Sequence, residues 1–462
     1  MSSLLPGSTD TIVAQATAGA RSALAVIRLS GPEAHRIGAM VLTPWRPSPP
    51  RVAFLATLHE AGNERPIDRG VVTVYRAPAS YTGEDMVELS LHGGEIGPAL
   101  AVSALLAAGA RHALPGELTR RALLNGKLDL LQAEAIADLI DARSRAMHDV
   151  ALEQLAGHLS ARLNALRDQL IELEALLAYD VDFPEEDDGP VAPERIAETA
   201  RAIFATLDAL LATASTGEMI RGGAVVVIAG APNAGKSSLF NALVGTRRAI
   251  VTDVPGTTRD AIEATIDVGR WPVRLIDTAG LRSSSELVER LGIEVAEQHV
   301  ARAMIVIVCG DTPVSLADAV ERVKALSSAA LIAVATKSDV HENMPADVTS
   351  TRAKAAPIAV SALTGDGLAA LLQRISDILD AEREPLSASN PMLTRERHRV
   401  ALERARIEVA AFLEAWIGHA GLPTVVSAVH LHAARGHLEE LVGAVDVEDV
   451  LDRVFSSFCV GK

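Results

Sequence analysis

A multidomain chain of mixed α+β and α/β class is predicted: an N-terminal α+β domain over residues 1–122, an all-helical middle domain in two parts (123–218 and 381–462), and an inserted α/β domain with a mostly parallel sheet over 219–380. Three observations predict it. The chain has 462 residues, more than the usual allotment of about 100–200 per domain. Short β-branched runs fill its first quarter, and leucines at helical spacing follow them. After residue 223, strand-like runs alternate with helical ones, as in a parallel sheet wrapped by helices.

The first domain reads from TIVAQAT, ALAVIRLSG, GVVTVY and MVELSLHGG, strand-like runs punctuated by Gly and Pro, with a helix expected over Ala99–Ala108. Leucines at 152, 155, 159, 163, 166, 170, 173 and 177 then draw one continuous stripe, so a single buried helix is expected, stopping at Asp182-Phe183-Pro184. The acidic run Glu185–Asp188 reads as a solvated linker. Pro193 suits the first turn of another helix carrying Ile196, Ile203, Leu207 and Leu210 on one side. In the inserted domain AVVVIAG, VRLIDTAG, AMIVIVCG, LIAVATKSD and PIAVSA read as strands. Beyond residue 380, Val400, Ile407, Phe412 and Ile417 begin a second helical part.

Hydrophobic residues make up 49% and charged residues 22%, which excludes a wholly disordered or fibrous chain. A net charge of −16 excludes a broadly basic surface, so any nucleic-acid site must be a local patch. Cys309 and Cys459 are the two cysteines, too few for a disulfide framework or a four-cysteine zinc site. The N-terminus MSSLLPGSTD has no basic leader, and Ala99–Ala110 is about half of a membrane span. The expectation is a cytoplasmic protein without a membrane segment.

Gly230-Ala231-Pro232-Asn233-Ala234-Gly235-Lys236-Ser237 fits GxxxxGK[ST] between a predicted strand and a predicted helix. In such a loop backbone N–H groups hold phosphates, Lys236 reaches the terminal ones and Ser237 ligates magnesium. Asp277-Thr278-Ala279-Gly280 closes a later strand, where a carboxylate holds magnesium through water. Gly256-Thr257-Thr258-Arg259 lies between, with Thr258 as a candidate magnesium hydroxyl. Thr336-Lys337-Ser338-Asp339 ends a further strand, and its carboxylate can accept from both N1–H and the 2-amino group of guanine, whereas adenine leaves it unpaired. Ser361-Ala362-Leu363 suits a backbone contact with the base. Five elements in this order specify a GTPase rather than a Gly-rich turn.

Leu281 follows DTAG where regulatory GTPases carry a water-orienting glutamine, so another group must orient the water; Glu286 and Glu289 are both available. Arg247, Arg248 and Arg259 offer positive charge, but nothing marks one as a finger. A monovalent cation is the alternative, with Asn233 as one ligand, unless Asn233 only accommodates an unusual backbone angle.

The sequence resembles the tRNA modification GTPase family (MnmE or TrmE type) from about Asp10 to Lys462, through DTIVAQAT, LAVIRLSG, YTGEDMVEL with HGG, PGELTRRALLNGKLDLLQAEAIADLIDA, APNAGKSSLFNAL, VTDVPGTTRD, DTAGLR, VERLGIE and the terminal FSSFCVGK. The resemblance implies a nucleotide site made of Asn233, Ala234, Gly235, Lys236, Ser237 and Ser238, the loop Thr252, Asp253, Val254, Pro255, Gly256, Thr257 and Thr258, the strand end Asp277, Thr278, Ala279 and Gly280, and the base-binding Thr336, Lys337, Ser338, Asp339, Ser361, Ala362 and Leu363. It implies potassium (K+) on Asn233, Thr252, Val254 and Thr257, magnesium (Mg2+) on Ser237 and Thr258, and Glu289 orienting the water. It implies a 5-formyltetrahydrofolate-type donor held by Arg28, Glu88, Lys127 and Lys462 in an N-terminal folate-binding and dimerisation domain. It also implies a homodimer, tRNA as substrate, and a flavin- and NADH-dependent partner of the MnmG (GidA) type, acting on carbon 5 of the wobble uridine. Read from the residues alone, Arg28 and Lys127 are equally surface charges and Glu88 an ordinary strand residue.

The departures are Pro255 in VPGTT, Thr336 in place of an asparagine, AGARSALAV in place of a PGRG-like run, and Leu118 in place of phenylalanine, a packing change. Cys459 has only Lys462 nearby to lower its pKa, so a structural role is preferred to a nucleophilic one. The competing function is a ribosome-assembly or signalling GTPase whose flanking domains only recruit partners.

Overall fold

The computed structural model describes residues 10–47, 49–182, 193–246, 262–277, 298–340, 356–381, 391–418, 424–443 and 461. The chain divides into two compact units, one of residues 1–137 and 438–462, the other of 138–437.

The first unit holds a seven-stranded sheet in the order β3-β4-β5-β6-β2-β1-β7. Its strands are β1 (Ile12–Gln15), β2 (Leu24–Ser30), β3 (Leu42–Thr43), β4 (Phe54–His59), β5 (Pro66–Tyr75), β6 (Met86–His92) and β7 (Arg111–His112). Only β1 with β7 runs parallel. Side chains alternate across a strand, so Ile27, Leu29, Val72, Val87 and Leu89 face a core closed by α1 (Ala34–Val41) and α2 (Ile96–Ala107). The opposite face carries Arg28 and Glu88, paired in register, together with exposed Leu24, Leu55 and Val71. Helices α3 (Glu117–Leu124) and α4 (Leu130–Asp141) follow. Leu118 is fully buried beside Ile12, Ala14 and Ala113, consistent with a packing role.

The second unit contains helices and the inserted α/β fold. The leucine stripe is not one continuous helix. The chain breaks at Gly157, whose φ of 84° suits glycine, between α5 (Arg145–Leu155) and α6 (His158–Asp182). Leucines 159 to 177 of the stripe are buried, while Leu152 is half exposed. Truncating one of the buried leucines to alanine costs about 2–5 kcal/mol by transfer and cavity terms. Helix α6 is described as far as Asp182 and α7 (Pro193–Ala212) from Pro193; Phe183, Pro184 and the acidic run Glu185–Asp188 lie outside the described residues. The buried face of α7 packs on α12 (Glu396–Gly418). Together α7 and α8 (Ala214–Gly222) make the one described stretch long and apolar enough to cross a membrane; its Ile196, Ile203, Leu207 and Leu210 are core residues instead.

Helix α8 extends past residue 219 to Gly222, and Gly223, at φ 76°, turns the chain into the sheet. That sheet has the order β13-β12-β11-β8-β10-β9. Its strands are β8 (Ala224–Gly230), β9 (Ile262–Val268), β10 (Trp271–Asp277), β11 (Ile305–Gly310), β12 (Ala330–Thr336) and β13 (Ile358–Val360). All pairings are parallel except β9 with β10, and β9 is a strand that the sequence pattern did not reveal. Helices α9 (Lys236–Thr246), α10 (Pro313–Leu326) and α11 (Leu368–Ala381) wrap it, and α12 and α13 (Thr424–Val442) complete the helical part.

Candidate nucleotide site and N-terminal charge pair

The C-terminal ends of parallel strands are where doubly wound sheets bind ligands. Here β8 ends in the loop of residues 231–235 and α9 starts at Lys236, so helix N–H groups face an incoming phosphate. The loop needs unusual backbone angles: Gly230, Asn233 and Gly235 have φ of 147°, 61° and 75°. A Cβ on Gly230 would overlap the Cys309 carbonyl, which makes glycine obligatory there. Lys236 is buried and donates to the Ala231 carbonyl at 2.7 Å, while Ser237 donates to Asp277 Oδ2 at 2.7 Å. A hydroxyl and a fully buried carboxylate so joined match the donor set of magnesium, one direct and one through water. Ala234 is buried and Ser238 exposed, with no hydrogen bond for the Ser238 side chain among the described residues. Asn233 is exposed, and its side chain has no hydrogen bond among the described residues.

At the base end, Ser361 Oγ donates to Asp339 Oδ1 at 2.7 Å and is itself fully buried, which fixes the carboxylate. Ser338 N–H donates to the Val360 carbonyl at 3.3 Å. Lys337, at φ 58°, pairs with Asp311 at 3.0 Å and holds the Asp311 carboxyl below its usual range. Thr336 Oγ1 lies 2.9 Å from the Ala234 carbonyl and 3.2 Å from that of Gly310. One hydroxyl proton serves two acceptors, where an amide would bring two protons. Ala362 is half-buried and Leu363 exposed.

Sequence reasoning did not single out Asp311, whose signal was its position directly after an apolar strand. It also passed over Cys309 as a core residue beneath the phosphate loop. Burial pushes that thiol up to about 12, with Lys236 opposing and Asp277 reinforcing, so it is inert. Thr252, Asp253, Val254, Pro255, Gly256, Thr257, Thr258, Thr278, Ala279, Gly280, Glu286, Glu289, Cys459 and Lys462 lie outside the described residues.

In the first unit, Arg28 Nε donates to Glu88 Oε1 at 2.8 Å and Tyr75 Oη donates to Glu88 Oε2 at 2.9 Å. Burial and then the Glu88 charge raise the Tyr75 phenol, keeping it a donor. The Arg28 guanidinium sits 5.1 Å from the Tyr81 ring. Tyr75 and Tyr81 were not foreseen as neighbours, because the contacts join separate strands and loops. Lys127 is exposed and donates to the Pro78 carbonyl at 3.1 Å. Gly461, one residue before Lys462, is buried at φ 105° with its Cα against Gln15 and Ala16, where any Cβ would overlap the Gln15 carbonyl. Strand β1 pairs Ala14 with Arg28, so Gly461 lies against the strand beside the charge pair.

A phosphate loop, a Ser–Asp pair at its helix and a fixed aspartate at the base end, all on strand ends of a mostly parallel sheet, define a P-loop GTPase. Comparison with known proteins narrows that class. The MnmE helical domain matches residues 130–459 and the N-terminus of the GTP-binding protein TrmE matches residues 11–127. The tRNA modification GTPase MnmE of Moorella thermoacetica is 41% identical over 98% of this chain and 99% of its own. That of Azoarcus sp. is 42% identical over the whole of both chains, and that of Aquifex aeolicus is 39% identical over 98% and 100%. The chain belongs to the MnmE family of tRNA modification GTPases. It is therefore a GTP-hydrolysing enzyme of tRNA modification, with GTP and magnesium as the ligands of its class.

Proposed function

We propose that the chain is a potassium-activated GTP hydrolase that acts in the cytoplasm as a homodimer. With a flavin- and NADH-dependent partner of the MnmG type, it installs an aminomethyl-type group (carboxymethylaminomethyl or aminomethyl) at carbon 5 of the wobble uridine of certain tRNAs. The observation that carries this reading beyond GTP hydrolysis is Gly461 seated on β1 next to the Arg28–Glu88 pair. A recruiting GTPase has no need of Gly461 at that point.

Asp339, braced by Ser361, accepts from guanine N1–H and the 2-amino group. Loop N–H groups and Lys236 bind the phosphates, and Glu289 orients the attacking water. Ser237 and Thr258 would hold magnesium, which when bound neutralises charge on the β- and γ-phosphate oxygens. Asn233, Thr252, Val254 and Thr257 would hold potassium, in place of an arginine finger. Asn233 has an exposed side chain, without a hydrogen bond among the described residues, as such a ligand needs, although its φ of 61° also satisfies a purely conformational role.

Arg28, Glu88, Lys127 and Lys462 would bind a 5-formyltetrahydrofolate-type donor. Glu88 accepts from the pterin edge and the cations take the carboxylates. The open sheet face with Leu24, Leu55 and Val71 is apolar enough to favour burial against a second copy. Nucleoside analysis of total tRNA after deletion of the gene tests the whole reading. Loss of wobble-uridine modification is expected, and unchanged uridines would favour a ribosome-assembly or signalling GTPase.

A further inference from the structure

We infer that Asp138 is a positioning residue that couples the GTPase fold to the helical part, because one carboxylate oxygen holds both places where the chain crosses between them. Asp138 Oδ1 accepts from Arg221 Nε at 2.9 Å and from Arg395 Nη2 at 2.8 Å. Arg221 occupies the last turn of α8, just before Gly223 and the strand β8 that ends in the phosphate loop. Arg395 immediately precedes α12, on the segment by which the chain returns from the α/β fold.

The two crossings are laid side by side by further contacts. Leu393 N–H donates to Thr213 Oγ1 at 3.1 Å, and Gln154 Nε2 donates to the Met392 carbonyl and to Thr394 Oγ1, both at 3.0 Å. A Cβ on Gly217 would overlap the Leu393 carbonyl, so α8 touches the returning segment backbone to backbone. Arg399 pairs with Glu218 at 3.3 Å. Asp138 adds charge to this frame. Two guanidinium groups bonded to one oxygen lie within about 6 Å of each other, and without the anion between them they repel in a half-buried setting.

The geometry also leaves room for a second arrangement. Asp138 Oδ2 is buried without a hydrogen-bond partner among the described residues. A cavity of about 150 Å³ lies beside the clamp, lined by Asp138, Asp141, Met147, Gln154, Arg221 and Thr394. An arginine that swings into that space finds the exposed Asp141 carboxylate on the cavity wall as a second acceptor. The clamp then has two positions that a nucleotide-driven movement of β8 can bias, as coupling requires. The functional half of this inference rests on the proposed use of hydrolysis to drive tRNA modification.

The test compares the full-length protein with Asp138→Asn, Asp138→Glu and Arg221→Gln. In Asp138→Asn, GTP turnover without tRNA is expected to stay within about twofold and the melting temperature to fall by only about 2–4 °C, while modified tRNA per GTP hydrolysed falls roughly fivefold or more. Arg221→Gln is expected to behave alike, and Asp138→Glu, which keeps the charge, to restore most of the yield. Spin labels at exposed Val314 and Glu198 are expected to give broader distance distributions in Asp138→Asn. Unchanged yield and unchanged distances in both charge-removing variants would overturn the inference, as would a joint collapse of GTP turnover and melting temperature. If the unsubstituted protein modifies no tRNA, the proposed function fails, and the label distances still decide the clamp.

Discussion

Three backbone positions with φ between 61° and 147° shape the phosphate loop, and the side chains around it hang from strand ends. The surroundings of the Arg28–Glu88 pair are assembled otherwise: a cross-strand pair on an open sheet face, a tyrosine from β5, a second from the loop before β6, and Gly461 against β1. Backbone geometry of the first kind demands particular residues at fixed short spacing. The second kind demands only charge and shape at positions far apart in sequence. The nucleotide site therefore tolerates little substitution, whereas the N-terminal site is a set of contributions that can be removed singly.

The largest expected effect tests whether Asn233 serves by its backbone or its oxygen. Replacing potassium by sodium is expected to lower turnover by roughly 10³–10⁵-fold, the scale of an arginine finger. Asn233→Gly keeps the left-handed conformation without strain and removes the oxygen. If Asn233→Gly abolishes the cation preference, the oxygen is a ligand; if it keeps the preference, the potassium assignment is broken.

Next comes the base end. Asp339→Asn is expected to weaken GTP by about two to three orders of magnitude, as two charge-assisted hydrogen bonds are lost, and to let xanthosine triphosphate compete. Competition binding measures both. Equal affinity for ATP and GTP in the unsubstituted protein would defeat the guanine assignment.

In the N-terminal unit, removing the last four residues is expected to weaken 5-formyltetrahydrofolate binding roughly tenfold or more, since a salt-bridged contact to a charged group is lost. Basal GTP hydrolysis should persist. Calorimetry with parallel GTPase assays reads both, and unchanged folate affinity would remove the tail from the site. Tyr75→Phe should give a smaller loss of about threefold, because Glu88 keeps its Arg28 partner.

The smallest effect concerns acid stability. Burial pushes the Glu117 carboxyl up, but hydrogen bonds from Arg111, the Leu114 N–H and Arg121 more than reverse this, leaving it below its usual 4.5. A depressed carboxyl stabilises the fold above its unfolded pKa, and that contribution is lost as pH falls through the folded value. Glu117→Gln should thus melt below the unsubstituted protein at about pH 7, with the gap shrinking below 4.5. A gap independent of pH would assign the effect to packing.

The order of the phosphate loop, DTAG, TKSD and SAL was legible in the sequence because each motif is a local backbone shape with its own residue requirements. The sheet's parallel strands were legible for a related reason: buried strands need continuous apolar runs. The leucine spacing misled at Gly157, where a periodic side-chain pattern continued across a residue in a backbone conformation that ends a helix. Strand β9 escaped because IEATIDV is an edge strand with one polar face. What only the tertiary structure decided was which distant residues meet: Ser361 with Asp339, Tyr75 with Glu88, Gly461 with Gln15, and Asp138 with both Arg221 and Arg395. A local pattern records how a segment must bend, but a contact between segments depends on how whole elements pack, and no spacing within the chain encodes it.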